Sequence, residues 1–251
     1  MAKLIILGSS FSIPDLNHEN AHLALEDNHD LVLIDCASNP LVRLRRAGLN
    51  PEKISDIILT HFHPDHVSGL PLLLMDMWLL GRQSVLTIHG LDHVLTRVEK
   101  MMELFDWSTW PDFFPVNFHR ITEEEMSPVL EGEQWRIFAS PVRHLIPNIA
   151  VRIDFLPSGK TVVYSSDTEP CYEVVRLASG AEVLLHEASG ESQGHSSAAQ
   201  AGHIAHQAKA KRLLLIHYPT GEYMDGSLIS QAAKTFPGPV ALAEDFMQLE
   251  F

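Results

Sequence analysis

The chain has 251 residues, 45% of them apolar and 20% charged, the balance of a globular protein able to bury a sizeable core without covalent staples. Its formal charge is −14, from 32 acids against 18 Lys and Arg. That disfavours a large polyanionic partner, because nucleic-acid binding draws on cations that displace counterions from phosphates.

Cys36 and Cys171 are the two cysteines and belong to no Cys-x-x-Cys pair, so neither a disulfide framework nor a thiolate zinc site is indicated. The first apolar run ends at Gly8-Ser9-Ser10, too early for a signal-peptide core. No window approaches the roughly 18–20 apolar residues of a membrane span. The expectation is a cytoplasmic enzyme with one domain over 1–251.

In chain order, 4–7, 22–26 and 31–34 are short β-forming runs that predict an antiparallel meander. Residues 39–47 have helical spacing and stop at Gly48. Residues 54–59 form a strand that runs into a histidine cluster; 67–80 predict an apolar helix closing at Gly81. Strand 85–89 and helix 92–105 follow. The stretch 107–115 is aromatic and Pro-rich, a loop or lid in which Trp107, Trp110 and Phe113 line a substrate mouth or a dimer contact, or pack as a satellite cluster. In the second half, strands are expected at 134–139, 149–155 and 161–164, with a turn at 157–160. Helix 173–178, strand 183–186, a serine-capped helix over 196–208, strand 213–216 and helix 228–234 complete the chain. Two strand-rich halves flanked by helices predict an α/β fold, a four-layer αββα sandwich.

The chemistry concentrates at His61-Phe62-His63-Pro64-Asp65-His66. In extended backbone, residues two apart point to one side, so His61 and His63 can share an ion. Pro64 forces a turn, and Asp65 and His66 then reach a second position beside the first. Nitrogen and carboxylate donors suit Zn²⁺, Mn²⁺ or Fe²⁺. Burying so many polar groups without a partner would be costly. His144, Asp167 and His217 each follow an apolar strand; singly they are unremarkable, but beside that cluster they are candidates for the further ligands that a dinuclear site needs.

These runs, with Ile34-Asp35-Cys36, Ser68-Gly69-Leu70-Pro71, Ser166-Asp167-Thr168, His186-Glu187-Ala188 and Ile216-His217, resemble the metallo-β-lactamase superfamily and most nearly its tRNase Z-like branch. The resemblance covers nearly the whole chain. It implies that His61, His63 and His144 hold one metal, that Asp65, His66 and His217 hold the other, and that Asp167 bridges them around a water or hydroxide. Val142-Arg143-His144-Leu145 replaces the Gly-His-Thr turn of lactamase-like and glyoxalase II-like members. With an aspartate at the bridging position, this demotes β-lactam or thioester hydrolysis, and a lactonase- or thioesterase-type hydrolase stays only as a second alternative.

Two ions lower the pKa of a shared water and polarise a phosphoryl oxygen, with Asp65 placed to orient the nucleophile. Gly194-His195-Ser196-Ser197 resembles the run in which tRNase Z-like enzymes place a proton donor. It implies His195 as general acid, worth about 10²–10⁴-fold, with Glu187 orienting it. His195 could instead cap the following helix, and Glu187 could be purely structural. His18, His22, His29, His89, His93, His119, His203 and His206 have no complementary partner in sequence and are set aside.

Genuine tRNase Z carries a basic, Gly-rich arm between the third ligand and the bridging Asp. Here two strands and a turn fill the space from His144 to Asp167. With the acidity, this favours a small phosphodiester over precursor tRNA, which stands as the alternative. A non-catalytic metal-binding module is a further one. Homodimerisation, common in the branch, would use the apolar stretches 70–80 and 107–114.

Overall fold

A computed structural model describes residues 2–224 and 226–251. β1 (Lys3–Gly8), β2 (His22–Glu26) and β3 (Leu31–Ile34) pair antiparallel, as their short β-forming runs predict. The chain then crosses through α1 (Pro40–Arg46) into β4 (Ile54–Ile58), which lies parallel to β3. Next come α2 (Pro64–Val67), α3 (Leu70–Leu79), β5 (Leu86–Gly90), α4 (Asp92–Glu103) and β6 (Val116–Arg120), with β4, β5 and β6 parallel.

The second half opens with an antiparallel run: β7 (Ser127–Glu131), β8 (Trp135–Val142), β9 (Asn148–Phe155) and β10 (Lys160–Tyr164). It then turns parallel through α5 (Tyr172–Leu177), β11 (Val183–Glu187), α6 (Ala198–Gln207), β12 (Leu213–Ile216), α7 (Leu228–Ala233) and β13 (Val240–Leu242). Finally β14 (Gln248–Glu250) returns to pair with β1. The result is two seven-stranded sheets, ordered β14-β1-β2-β3-β4-β5-β6 and β13-β12-β11-β10-β9-β8-β7.

Strand alternation divides the second sheet between two apolar layers. Val151, Val162, Leu185 and Leu214 join the main core with Leu23, Leu25, Ile58 and Trp135. Their chain neighbours Ala150, Val163, Leu184 and Leu215 pack outward against Val174 and Leu177 of α5 and Ala201, Ile204 and Ala205 of α6. This is the expected αββα arrangement.

Three local expectations are corrected. The helix expected over 67–80 is two helices, because Pro71 has no N–H to donate to the carbonyl four residues back. The break brings Gly69 onto the loop after β3; a Cβ there would lie 2.8 Å from the Ala37 carbonyl oxygen. The serine cap of α6 is Ser197, in a capping box with Gln200. Ser196 instead donates to the Thr168 carbonyl at 2.7 Å. Strands β6, β7, β13 and β14 go beyond the sequence expectation.

The 107–115 stretch contains one 3₁₀ turn (Trp107–Thr109). Trp110 stacks on Trp78 of α3 at 5.1 Å, and Trp107 packs on Phe113 at 5.6 Å and Phe118 at 6.2 Å. These partly buried rings pack against the main core. Among the described residues, no helix is long and apolar enough to cross a membrane.

Candidate metal centre

All of the expected ligands come from segments leaving strand ends at one rim of the sandwich. Past β4 the chain stays extended through His61 and His63 (φ −92°, ψ 151° at His63), then Pro64 opens α2 and carries Asp65 and His66. His144 lies between β8 and β9, Asp167 just after β10, and His217 directly after β12. Asp35, Ser166 and His217 all have positive φ, at 64°, 52° and 49°. These left-handed turns swing each segment sharply off its sheet.

The ligand atoms form two groups that share Asp167: His61, His63, His144 and Asp167, and Asp65, His66, Asp167 and His217. In the first, His63 Nδ1 lies 3.0 Å from His61 Nε2 and 3.1 Å from His144 Nε2. Asp167 Oδ2 faces that group, 3.8 Å from His61 Nε2 and 3.9 Å from His144 Nε2. Its other oxygen, Oδ1, faces the second group at 3.5 Å from both His66 Nε2 and His217 Nε2. Asp65 Oδ2 closes that group at 3.6 Å from His66 and 3.4 Å from His217. Ligands held tetrahedrally at about 2.1 Å from an ion are about 3.4 Å apart. The second group matches that spacing closely.

Four of the five histidines in these groups, all but His63, have the far nitrogen committed elsewhere, which fixes the tautomer that presents a lone pair inward. His66 Nδ1–H donates to Asp35 at 2.8 Å, His144 Nδ1–H to the Gly194 carbonyl at 2.7 Å, and His217 Nδ1–H to Ser189 Oγ at 2.8 Å. His61 Nδ1 faces Thr60 Oγ1 at 3.1 Å, and that hydroxyl donates to Asp35. Glycine is required at 194: its φ is +83°, and a Cβ would sit 3.0 Å from His144 Nδ1.

Two inward atoms, His66 Nε2 and Asp167 Oδ1, are buried without a hydrogen-bond partner. Orphans of this kind are costly and rare. A cation bound between them would satisfy both, so the donor set fits a dinuclear divalent metal site.

Charge is partitioned across the cluster. Burial works to raise the Asp167 carboxyl, but His217, His66 and His61 hold it well below the usual range. Burial works to lower His66, yet Asp167 and Asp35 push it well above its ordinary value. His61 is pressed well below by burial and by His66.

Beside the two groups, His195 packs edge-on to His144 at 5.0 Å and parallel to His217 at 6.0 Å. Its Nδ1–H donates to Glu187 Oε1 at 3.0 Å. Glu187 is fully buried and also accepts the backbone N–H groups of Thr168 and Ser189, each at 2.9 Å. Burial works to lower the His195 pKa, but the Glu187 carboxylate outweighs it and holds that pKa above its ordinary value.

The histidines set aside stay outside both groups. His203 and His206 are exposed on α6. His89 does have a partner, Asp56 at 2.6 Å on its Nε2, with His119 at 2.9 Å on its Nδ1. Sequence reasoning assigned no role to Asp35, Thr60 or Ser189. Asp35 was legible as a polar residue ending an apolar strand; Ser189 carried no signal.

The Beta-lactamase superfamily domain model matches residues 31–218. The chain belongs to this superfamily and is a metal-dependent hydrolase. It is 27% identical over 304 aligned positions to the Ribonuclease Z of Methanothermobacter thermautotrophicus, covering 100% of this chain and 97% of that one. In fold it is similar to the metallo-β-lactamase fold protein YhfI of Bacillus subtilis, with a TM-score of 0.82 at 24% identity over 100% of this chain and 99% of that one. It is also similar to a diphosphatase of the PhnP family, with a TM-score of 0.78 at 20% identity over 100% and 98%.

Proposed function

We propose that this chain is a phosphodiesterase of the ribonuclease Z type, cleaving a phosphodiester of RNA with two divalent ions, Zn²⁺ first, with Mn²⁺ or Fe²⁺ as alternatives. The observation that carries it is the two-sided Asp167, with His195 seated between His144 and His217. The whole-length likeness to a Ribonuclease Z moves RNA ahead of the small phosphodiester favoured on composition and charge.

When bound, the ions supply Lewis acidity and a water of lowered pKa. His61, His63 and His144 would hold one and Asp65, His66 and His217 the other, with Asp167 between. Asp65 is the least buried of the carboxylates there, at 15% side-chain exposure, and so is placed to orient a nucleophile. His195 holds a proton on Nε2 for the leaving oxygen, while Glu187 anchors Nδ1.

A small phosphodiester is the second reading, favoured by one observation: β9, β10 and their turn occupy the chain from His144 to Asp167, with no room for a tRNA-gripping arm. The discriminating experiment supplies Zn²⁺ or Mn²⁺ and compares bis(p-nitrophenyl) phosphate with 3′-extended precursor tRNA. Clean cutting at the tRNA 3′ end is expected. Turnover of the small diester alone would favour the second reading, and no turnover of either would sink both.

We read residues 1–251 as one domain, supported by a core drawn from both sheets. Two buried free thiols, Cys36 and Cys171, fit the reducing cytoplasm. For the assembly we propose a homodimer through Leu79, Leu80, Leu104 and Phe105, all exposed at the ends of α3 and α4. Sedimentation as a monomer at micromolar concentration would refute it.

A further inference from the structure

Next to the loop that carries His144, a cavity of about 250 Å³ is lined by Arg143, Pro170, Cys171, Tyr172, His203 and Gln207. None of these residues takes part in the chemistry above. The cavity is nevertheless built from the segments that carry the site. Arg143 immediately precedes His144; its N–H reaches Thr168 Oγ1 at 3.2 Å, and its carbonyl accepts from Glu169 N–H at 2.8 Å. Glu169 Oε1 accepts the Gly194 N–H at 2.9 Å, and the Gly194 carbonyl takes the His144 Nδ1 proton at 2.7 Å. His203 and Gln207 come from α6, which begins just beyond His195.

The lining combines an aromatic ring, a guanidinium and polar side chains. Tyr172 is 64% exposed, a large aromatic side chain open to solvent. Arg143 has a side chain 62% exposed, and its nearest carboxylate, Glu173 Oε2, lies 4.0 Å from Nε. That is the outer limit of an ion pair, so the guanidinium keeps donors free for a phosphate. His203 and Gln207 are exposed and carry both donors and acceptors. Aromatic faces flanked by arginine and amide side chains recur where proteins hold unpaired bases.

We propose that this cavity holds the nucleotide next to the scissile phosphodiester of an RNA chain. Tyr172 stacks on its base, Arg143 takes its phosphate, and His203 and Gln207 meet the base edge. The inference rests on the ribonuclease reading and deepens it. The subsite also explains how an acidic chain without an arm retains RNA, through one local grip.

The test uses labelled oligoribonucleotides of increasing length, from a dinucleotide upward. Fluorescence anisotropy follows their binding to metal-free protein, which leaves them uncut, and kcat/KM follows their cleavage by the metal-loaded enzyme. Affinity is expected to rise about tenfold at the length that fills the cavity. Tyr172→Ala and Arg143→Ala each remove most of that step, and Tyr172→Phe keeps it. Both side chains are exposed, so neither variant threatens the fold. A step that persists in the alanine variants, or no step in the wild type, overturns the subsite while cleavage of RNA leaves the ribonuclease reading standing. If no RNA is bound or cut while bis(p-nitrophenyl) phosphate turns over, the ribonuclease reading itself falls and the subsite with it.

Discussion

Glu187 Oε1 and His195 Nδ1 stand 3.0 Å apart, and the same buried carboxylate accepts the N–H groups of Thr168 and Ser189. One anion therefore joins the proposed proton donor to the turn after Asp167 and to the residue that orients His217.

His195→Ala should keep both metals and lose about 10²–10⁴-fold in kcat. Metal analysis of the purified variant beside its turnover checks this; a loss of metal would move His195 from proton donor to ligand.

If Glu187 acts through His195, then Glu187→Gln should lower kcat in the native background and add almost nothing to His195→Ala. It should also destabilise the fold by about 1–3 kcal/mol, since the amide turns a donor toward one of three buried donors. Losses that multiply in the double variant would leave Glu187 a structural role only.

Asp167→Ala should lose metal, because this residue faces both groups. Wild-type protein is expected to melt at a higher temperature with added Zn²⁺ or Mn²⁺. The variant's melting temperature should not respond. Two ions per chain retained in the variant would contradict the bridging role.

Asp35 is fully buried and accepts from Thr60 N, Thr60 Oγ1 and His66 Nδ1. Asn tolerates the positive φ of this residue, so Asp35→Asn isolates the charge from the backbone. Metal affinity should fall about 10–100-fold at the Asp65–His66–His217 position and far less at the other. A titration showing two equally weakened sites would refute the assignment.

His22 and His186 should make the fold less stable as the medium turns mildly acidic. His22 and His186 are fully buried, and desolvation holds both below their ordinary value. Each donates Nδ1–H to a carbonyl at 2.8 Å and leaves Nε2 without a partner. The unfolded chain takes up protons near pH 6.5 that the folded chain refuses. Their contribution is complete above that value and is lost as pH falls below it. Urea denaturation at about pH 7.5 and about pH 5.5 should show a smaller acid penalty in His22→Gln than in wild type. An unchanged penalty would exclude His22 as a source.

The strands that the sequence did not reveal share one position. β14 and β6 are the edges of one sheet, and β13 and β7 are the edges of the other. An edge strand pairs on one side only, so its pattern is diluted: β6 reads Val-Asn-Phe-His-Arg, β7 carries Pro128, and β13 and β14 are three residues each. Interior strands such as β12, Leu-Leu-Leu-Ile, must be apolar on both faces and so stand out. The candidate ligands were legible because His61, His63, Asp65 and His66 are local, and His144, Asp167 and His217 follow such runs. Ser189 was not legible; its role depends on two chain segments meeting 28 positions apart.

Each ligand group draws on both halves of the chain. His61, His63, Asp65 and His66 precede the exposed 122–126 stretch, and His144, Asp167 and His217 follow it. Neither half holds a complete candidate group alone, so an ion bound there would act as a clasp across the seam between the sheets. The β14–β1 pairing interlocks the same halves at a different place. If the chain were severed within 122–126, separate pieces would be metal-blind, and recovered metal would report their reassociation.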